Sequence, residues 1–251
     1  MTGVVTGLYR YPVKGLSADP LRHVTLEAGQ TLPFDRTWAI ENGPTRLEPD
    51  APAYRPPSSF LTLKRDERLA ALETRFEEDT RRLVISRGGR PVASGDLTTP
   101  VGRQVLEQFI AAFMADSLRG RPKIVSAPGH SFSDTREKRV HVISLRSLRE
   151  LERVVGRPID PLRFRPNVIL DGPEPWAEFD WIGREITAGP VHLRITSRTE
   201  RCAATNVDPA TGVRDMAIPA SLQREWGHTD FGVYAEVLND GNLSVGDGLS
   251  L

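Results

Sequence analysis

Cysteine is almost missing from this chain: one residue in 251, at position 202. That excludes an internal disulfide framework, a cysteine-rich zinc site and an iron–sulfur cluster held by thiolates. Histidine is nearly as scarce, with five residues at 23, 130, 141, 192 and 228. No two of them share a short ligand spacing, and none stands in a recognisable signature with Cys202, so neither a zinc site nor a Cys–His hydrolase is indicated. Charge of one sign is not in excess, because Lys+Arg and Asp+Glu both number 33. A nucleic-acid-binding tail and a polybasic membrane surface are therefore not expected, and an anion site must be a local cluster. No apolar run approaches the length of a membrane span, and Met1-Thr2-Gly3-Val4-Val5 lacks the charged start and long apolar stretch of a signal peptide. A reducing cytoplasm is the expected setting. Fixed-period repeats, Gly-x-Gly-x-x-Gly and Gly-Lys-Ser/Thr are absent too, which argues against solenoids, dinucleotide folds and phosphate loops.

What is present reads as short strands with a few helices. Val4 to Val13, His23 to Leu26, Thr37 to Ile40, Phe60 to Leu63, Ala70 to Phe76 and Arg82 to Ser86 are β-branched or aromatic runs between turn residues. Gly88-Gly89 predicts a hairpin into Pro91-Val92-Ala93. Gly43 to Ser59, with Pro56-Pro57, predicts a surface loop. Thr98 or Thr99 with Pro100 starts a helix whose Val101, Val105, Phe109 and Phe113, joined by Leu106, Ile110 and Met114, predict a core-facing stripe. Arg119-Gly120-Arg121-Pro122 breaks the pattern and marks a junction between residues 1–119 and 120–251. Beyond it, Lys123 to Ser126 is a possible strand and Ala127 to Lys138 a polar loop. Val140 to Ile143 leads to a helix started at Ser144, with Ser147 and Glu150 as a capping-box pair. Asn167 to Leu170, Val191 to Ile195, Val233 to Leu238 and Leu243 to Val245 read as strands, and Pro219 to Trp226 as a short helix. Strands that do not alternate regularly with helices favour barrels or sandwiches over a doubly wound sheet.

A lone cysteine is by default a small buried hydrophobe. Cys202, however, opens a polar, turn-forming stretch, Arg201-Cys202-Ala203-Ala204-Thr205-Asn206-Val207-Asp208-Pro209-Ala210-Thr211-Gly212. Elsewhere, Lys14 follows a strand, Arg36 sits in Phe34-Asp35-Arg36-Thr37-Trp38, and Arg163 and Arg165 flank Phe164 ahead of Pro166-Asn167. Forked or point-charge cations of this kind suit phosphate, and a thiolate suits a soft metal.

Taken together and in order, these motifs resemble a known family. Tyr11-Pro12-Val13-Lys14 and Phe34-Asp35-Arg36-Thr37-Trp38 resemble the N-terminal barrel module that precedes MOSC domains. Arg163-Phe164-Arg165-Pro166-Asn167, Glu174-Pro175-Trp176-Ala177-Glu178 and Asp180-Trp181 resemble the first half of a MOSC domain. Arg201-Cys202, Thr205, Val207-Asp208-Pro209 and Thr211-Gly212 resemble its cysteine signature, and Phe231-Gly232-Val233-Tyr234 with Val245-Gly246-Asp247 its closing strands.

The resemblance implies a β-rich α+β fold, with a β-barrel-like N-terminal module (1–119) and a MOSC β-barrel domain with a few helices (120–251). It implies a molybdenum–pterin cofactor, with Cys202 as metal ligand and catalytic thiolate, Asp208 beside it as a catalytic residue, and Lys14, Arg36 and Arg165 as cofactor-binding cations. Ser144, Asn167 and Thr205 are further cofactor-binding candidates. Pyridoxal phosphate is a second cofactor associated with the family. The implied activity is reduction of N-hydroxylated small molecules, with electrons from a separate cytochrome b5-, ferredoxin- or flavoprotein-like partner. The alternative is a carrier of sulfur, as a Cys202 persulfide, or of the cofactor. Two departures stand out: Gly15-Leu16 follows Lys14 where relatives often have Ser-Cys, and Glu200 replaces a small polar residue two before the cysteine.

Overall fold

The first-half strands form because β-branched and aromatic residues alternate with polar ones between tight turns. In the computed structural model, which describes residues 3–43, 57–127 and 129–251, they are β1 (Gly3–Arg10), β2 (Asp19–Leu21), β3 (His23–Leu26), β4 (Trp38–Glu41), β5 (Glu73–Glu77), β6 (Arg82–Arg87), β7 (Arg90–Asp96) and β8 (Lys123–Ser126). The expected loop from Gly43 to Ser59 lies largely outside the described residues. Strands β5, β6 and β7 make a three-stranded sheet, and β4 pairs with β8. Gly88 and Gly89 both take positive φ (57° and 72°) in the β6–β7 turn, the conformation a two-residue hairpin loop demands.

Helix α1 (Pro100–Phe113) covers this sheet. Thr99 caps it by accepting from Gly102 N at 3.1 Å, with Pro100 at the first position. Its apolar stripe is the expected one in part. Leu106, Ile110 and Met114 are buried, whereas Val101 and Val105 are 72% and 43% exposed. Two expected strands also differ. Of Phe60 to Leu63 only Phe60 pairs, in a single bridge to Glu41. Residues Glu67–Ala71 form a 3-10 turn ahead of β5.

The second half supplies β9 (Val140–Ser144), β10 (Val168–Asp171), β11 (Glu185–Ala188), β12 (Val191–Glu200), β13 (Asp230–Val237), β14 (Gly241–Ser244) and β15 (Gly248–Ser250), with helices α2 (Leu145–Val155) and α3 (Ile218–Trp226). Six of these strands close with β1 into a seven-stranded barrel, in the order β1, β15, β11, β12, β13, β9, β10 and back to β1. Only β9 and β10 are parallel, joined through α2 as a crossover connection requires. Along β12 the inward Val191, Leu193 and Ile195 are buried and the outward His192 and Arg194 exposed. The barrel is filled by Val5, Leu8, Val142, Val168, Leu193, Val233 and their neighbours. The strand pairing crosses the expected junction at 119/120: β1 is a stave of the second-half barrel, and β8 returns to β4.

Ser144 caps α2, accepting from Arg146 N at 3.2 Å. The Ser147–Glu150 capping box does not form. Ser147 accepts from Trp176 N at 2.8 Å and donates to Glu178 at 2.9 Å, while Glu150 pairs with Arg153. Among the described residues no helix is long and apolar enough to cross a membrane.

Candidate functional site

Lys14, Arg36, Arg165 and Cys202, far apart in sequence, line one cavity of about 380 Å³. The barrel and the first-half turns build it jointly. Lys14 leaves the turn after β1, Arg36 the turn before β4, Arg165 the end of a 3-10 turn before β10, and Cys202 the end of β12. Arg36 and Arg165 both hold left-handed backbone, at φ 52° and 53°. That conformation is costly for a side-chain-bearing residue and is kept only where the surroundings enforce it.

The cavity is strongly cationic. Lys14 is 7% exposed, and its ammonium donates to Phe132 O at 2.9 Å and to Asp134 Oδ1 at 2.5 Å. Burial pulls its pKa below the ordinary lysine value, and Asp134 opposes that only in part. Arg36 pairs with Asp35 and donates to Arg165 O at 3.3 Å. Arg36 and Arg165 both stack on the Tyr11 ring, at 4.8 and 4.1 Å. Arg165 donates to Leu16 O at 2.8 Å and Arg201 to Phe164 O at 2.7 Å. Both are held by main-chain carbonyls, and burial lowers both pKa values, that of Arg165 to about 10. Arg165 Nη2 and Arg201 Nε are buried with no hydrogen-bond partner.

Behind the cations lies His141, in β9. Burial, then Arg201, holds its pKa well below the usual imidazole value. A neutral ring with its proton on Nδ1 satisfies both neighbours, donating to Arg165 O at 3.3 Å and accepting from Arg201 Nη1 at 3.4 Å. The packing requires Gly232 opposite: at φ +79°, a Cβ there would stand 2.6 Å from Val142 O and 2.8 Å from His141 Nε2.

Cys202 is exposed, with Glu200 exposed beside it. Thr205 lines the same cavity but spends its hydroxyl on Cys202 O at 2.9 Å, tightening the turn after the cysteine. Asn167 also lines it, although its side chain stitches strands, donating to Tyr9 O at 3.1 Å and accepting from His141 N at 3.1 Å. Two expected site residues lie elsewhere. Ser144 is buried as the α2 cap. Asp208 is outside the cavity lining, held by Ala210 N and Thr211 N, both at 2.9 Å, and by Arg163 at 3.2 Å. In this structure the Asp208 carboxylate serves a turn and an ion pair, and the Ser144 hydroxyl serves a helix cap.

Tyr11, His141 and Asp134 were not picked out from sequence. His141 sits in a β-branched run that reads as core, and Asp134 in a polar stretch that reads as solvent loop. Arg201 carried one signal, its place beside the only cysteine. Among the described residues no cluster of three or more His, Cys, Asp or Glu side chains is placed to hold a metal.

Comparison with known proteins matches the chain to a family. A model of the MOSC N-terminal beta barrel domain matches residues 2–121, and a model of the MOSC domain matches residues 127–250. Mouse mitochondrial amidoxime-reducing component 1 is 31% identical over 118 residues, 42% of this chain and 34% of that protein. Human molybdenum cofactor sulfurase is 23% identical over 268 residues, 92% of this chain and 30% of that protein. The chain thus spans about a third of the length of these relatives. The crystal structure of the YUAD protein from Bacillus subtilis aligns over 99% of this chain and 94% of its own, at 13% identity and a TM-score of 0.47. With both family models matched end to end, the chain belongs to the MOSC domain family and carries the MOSC N-terminal beta barrel domain ahead of its MOSC domain.

Proposed function

We propose that this protein is a molybdenum-cofactor oxidoreductase that reduces N-hydroxylated compounds with electrons from a separate cytochrome b5-, ferredoxin- or flavoprotein-like protein. One observation carries the reading: a single cavity joins an exposed thiol, Cys202, to Lys14, Arg36, Arg165 and Arg201.

The residues fit such a group. Leaving Arg165 Nη2 buried and unpaired costs about 1–3 kcal/mol, a cost that a ligand acceptor would offset. The side chains offer one soft thiolate and no ready-made metal cluster among the described residues, so a metal would bring its remaining ligands with it. Lys14, Arg36 and Arg165 would grip a phosphate, Arg165 as a fork and Lys14 as a point charge. Cys202 would ligate the metal through its sulfur, a soft donor. When bound, the group would supply a redox-active centre that accepts an oxygen atom from an N–O bond. Glu200, exposed, lines the same cavity.

Protein produced in a host competent for molybdenum should carry about one molybdenum and one pterin per chain, and Cys202→Ser should lose both the metal and amidoxime reduction. Full retention of both by the serine variant sinks the ligand assignment. A second reading, a sulfur or cofactor carrier, is favoured by the exposure of Cys202 and by the match to the sulfurase along nearly the whole chain. Cyanide-releasable sulfur on Cys202 in molybdenum-free protein would decide for it.

A further inference from the structure

The cavity holds an acid where its ligand's charge should go. Asp134 Oδ1 lies 2.5 Å from Lys14 Nζ, on a side chain 68% exposed to solvent. Its charge acts on Lys14, Arg36, Arg165, Arg201 and Tyr234 alike. The carboxylate therefore stands where the fields of the cavity's cations converge. Crowding by its neighbours raises the carboxyl pKa, but Lys14, then Arg36 and Arg165, outweigh this and hold it below the usual carboxylate range.

The segment bearing it is anchored at Phe132 and bonded within itself beyond that point. Phe132 is anchored, donating from its N to Arg36 O at 2.7 Å and packing edge-on against Phe60 and His130. Beyond it Ser133 Oγ donates to Thr135 O at 3.0 Å, and Thr135 Oγ1 to Glu137 O at 2.7 Å. Releasing Lys14 from Asp134 does not itself require either of those two bonds to break.

We propose that Asp134 is a resident counter-anion on the seat of the ligand's phosphate, and that it sets the charge a ligand must bring: a dianionic phosphate monoester displaces it, whereas a monoanionic or neutral group does not. Exchanging one carboxylate for another singly charged group gains nothing electrostatically. A phosphate brings up to two charges and three acceptor oxygens, enough to take Lys14, Arg36 and the unpaired Nη2 of Arg165 together. The inference rests on the anion-binding reading of the cavity, not on molybdenum.

The test is calorimetric titration of inorganic phosphate, with acetate as the monoanion, at fixed ionic strength. It compares the wild-type protein with Asp134→Asn, Asp134→Ser and Asp134→Glu. Removing one opposing charge from a half-screened site should tighten phosphate binding about tenfold in the Asn and Ser variants. Acetate should become a competitor in those two, while Asp134→Glu behaves as wild type. Unchanged or weaker phosphate binding in variants that unfold at the wild-type temperature overturns the inference, as does absence of phosphate binding in every protein. Molybdenum and pterin content is measured separately. Loaded wild-type protein with a phosphate-indifferent Asp134→Asn defeats this inference alone. A tenfold gain in protein that never acquires molybdenum defeats the oxidoreductase reading alone.

Discussion

Gly15 follows the cavity lysine at φ +87°, with Leu61 O 2.9 Å from where a Cβ would stand. A side chain does not fit this turn as it stands, so Gly15→Ser should not supply a ligand contact here. It should lower stability by about 2 kcal/mol or more through left-handed strain and the clash, read by chemical denaturation; an unchanged midpoint would refute that account. Arg165→Lys keeps the charge but loses the fork and the stacking on Tyr11. Phosphate affinity should fall about tenfold, against no change if charge alone matters. At this scale the sequence was legible where a rare residue or a spaced motif stood out, as at Cys202, Lys14, Arg36 and Arg165. It was not legible where one chemistry serves two purposes. Ser144 and Asp208 are polar residues at turns, and an oxygen that caps a backbone N–H looks the same in sequence as one that meets a ligand. His141 failed in the opposite direction, because a neutral imidazole among valines reads as core and also is core.

Helix α1 shows the matching limit for elements. Its existence, Thr99 cap and Pro100 start were legible, since caps are local chemistry. Its inner face was legible only in part. Positions four apart drift by about 40° per step on a helix of 3.6 residues per turn, so Val101 and Val105 rotate away from the surface that Leu106, Ile110 and Met114 bury. Leu106→Ala should cost about 2–4 kcal/mol by leaving a cavity, whereas Val101→Ser should stay within about 0.5 kcal/mol of wild type. Urea unfolding of the two variants checks the ranking, and equal losses would contradict it. The short strands β2, β11 and β15 went unseen because three or four residues carry too little periodicity to register. Pairing partners, which fix them, are far away in sequence.

For the molecule as a whole, the buried Glu178 gives a pH signature. Burial pushes its carboxyl up to about 7, opposed by the Ser147 hydroxyl, and Oε1 has no partner. Below the unfolded value near 4.5, folded and unfolded chains are both protonated and the contribution is fully present. As pH rises from there through 7 only the unfolded chain ionises freely, and about 3 kcal/mol is lost. His141, whose pKa is depressed, acts the other way, so the test is a difference: the gap between wild type and Glu178→Gln should change with pH over this window and be flat above it. A constant gap would rule out a raised carboxyl.

The pairing of β1 also bears on separability. Residues 120–251 alone lack one of seven barrel staves and should show no cooperative unfolding, whereas the full chain should melt in one transition. A cooperative melt of the fragment would overturn this.

The same closure dictates a timetable. Residues 3–10 emerge from the ribosome well before their partners on either side, residues 168–171 and 248–249. This stave must wait until residue 248 has been made before its barrel exists, and Lys14 waits with it. A ribosome-stalled chain halted before residue 248 would therefore have no finished seat for an anion. Anion binding belongs after closure of the barrel, not before it.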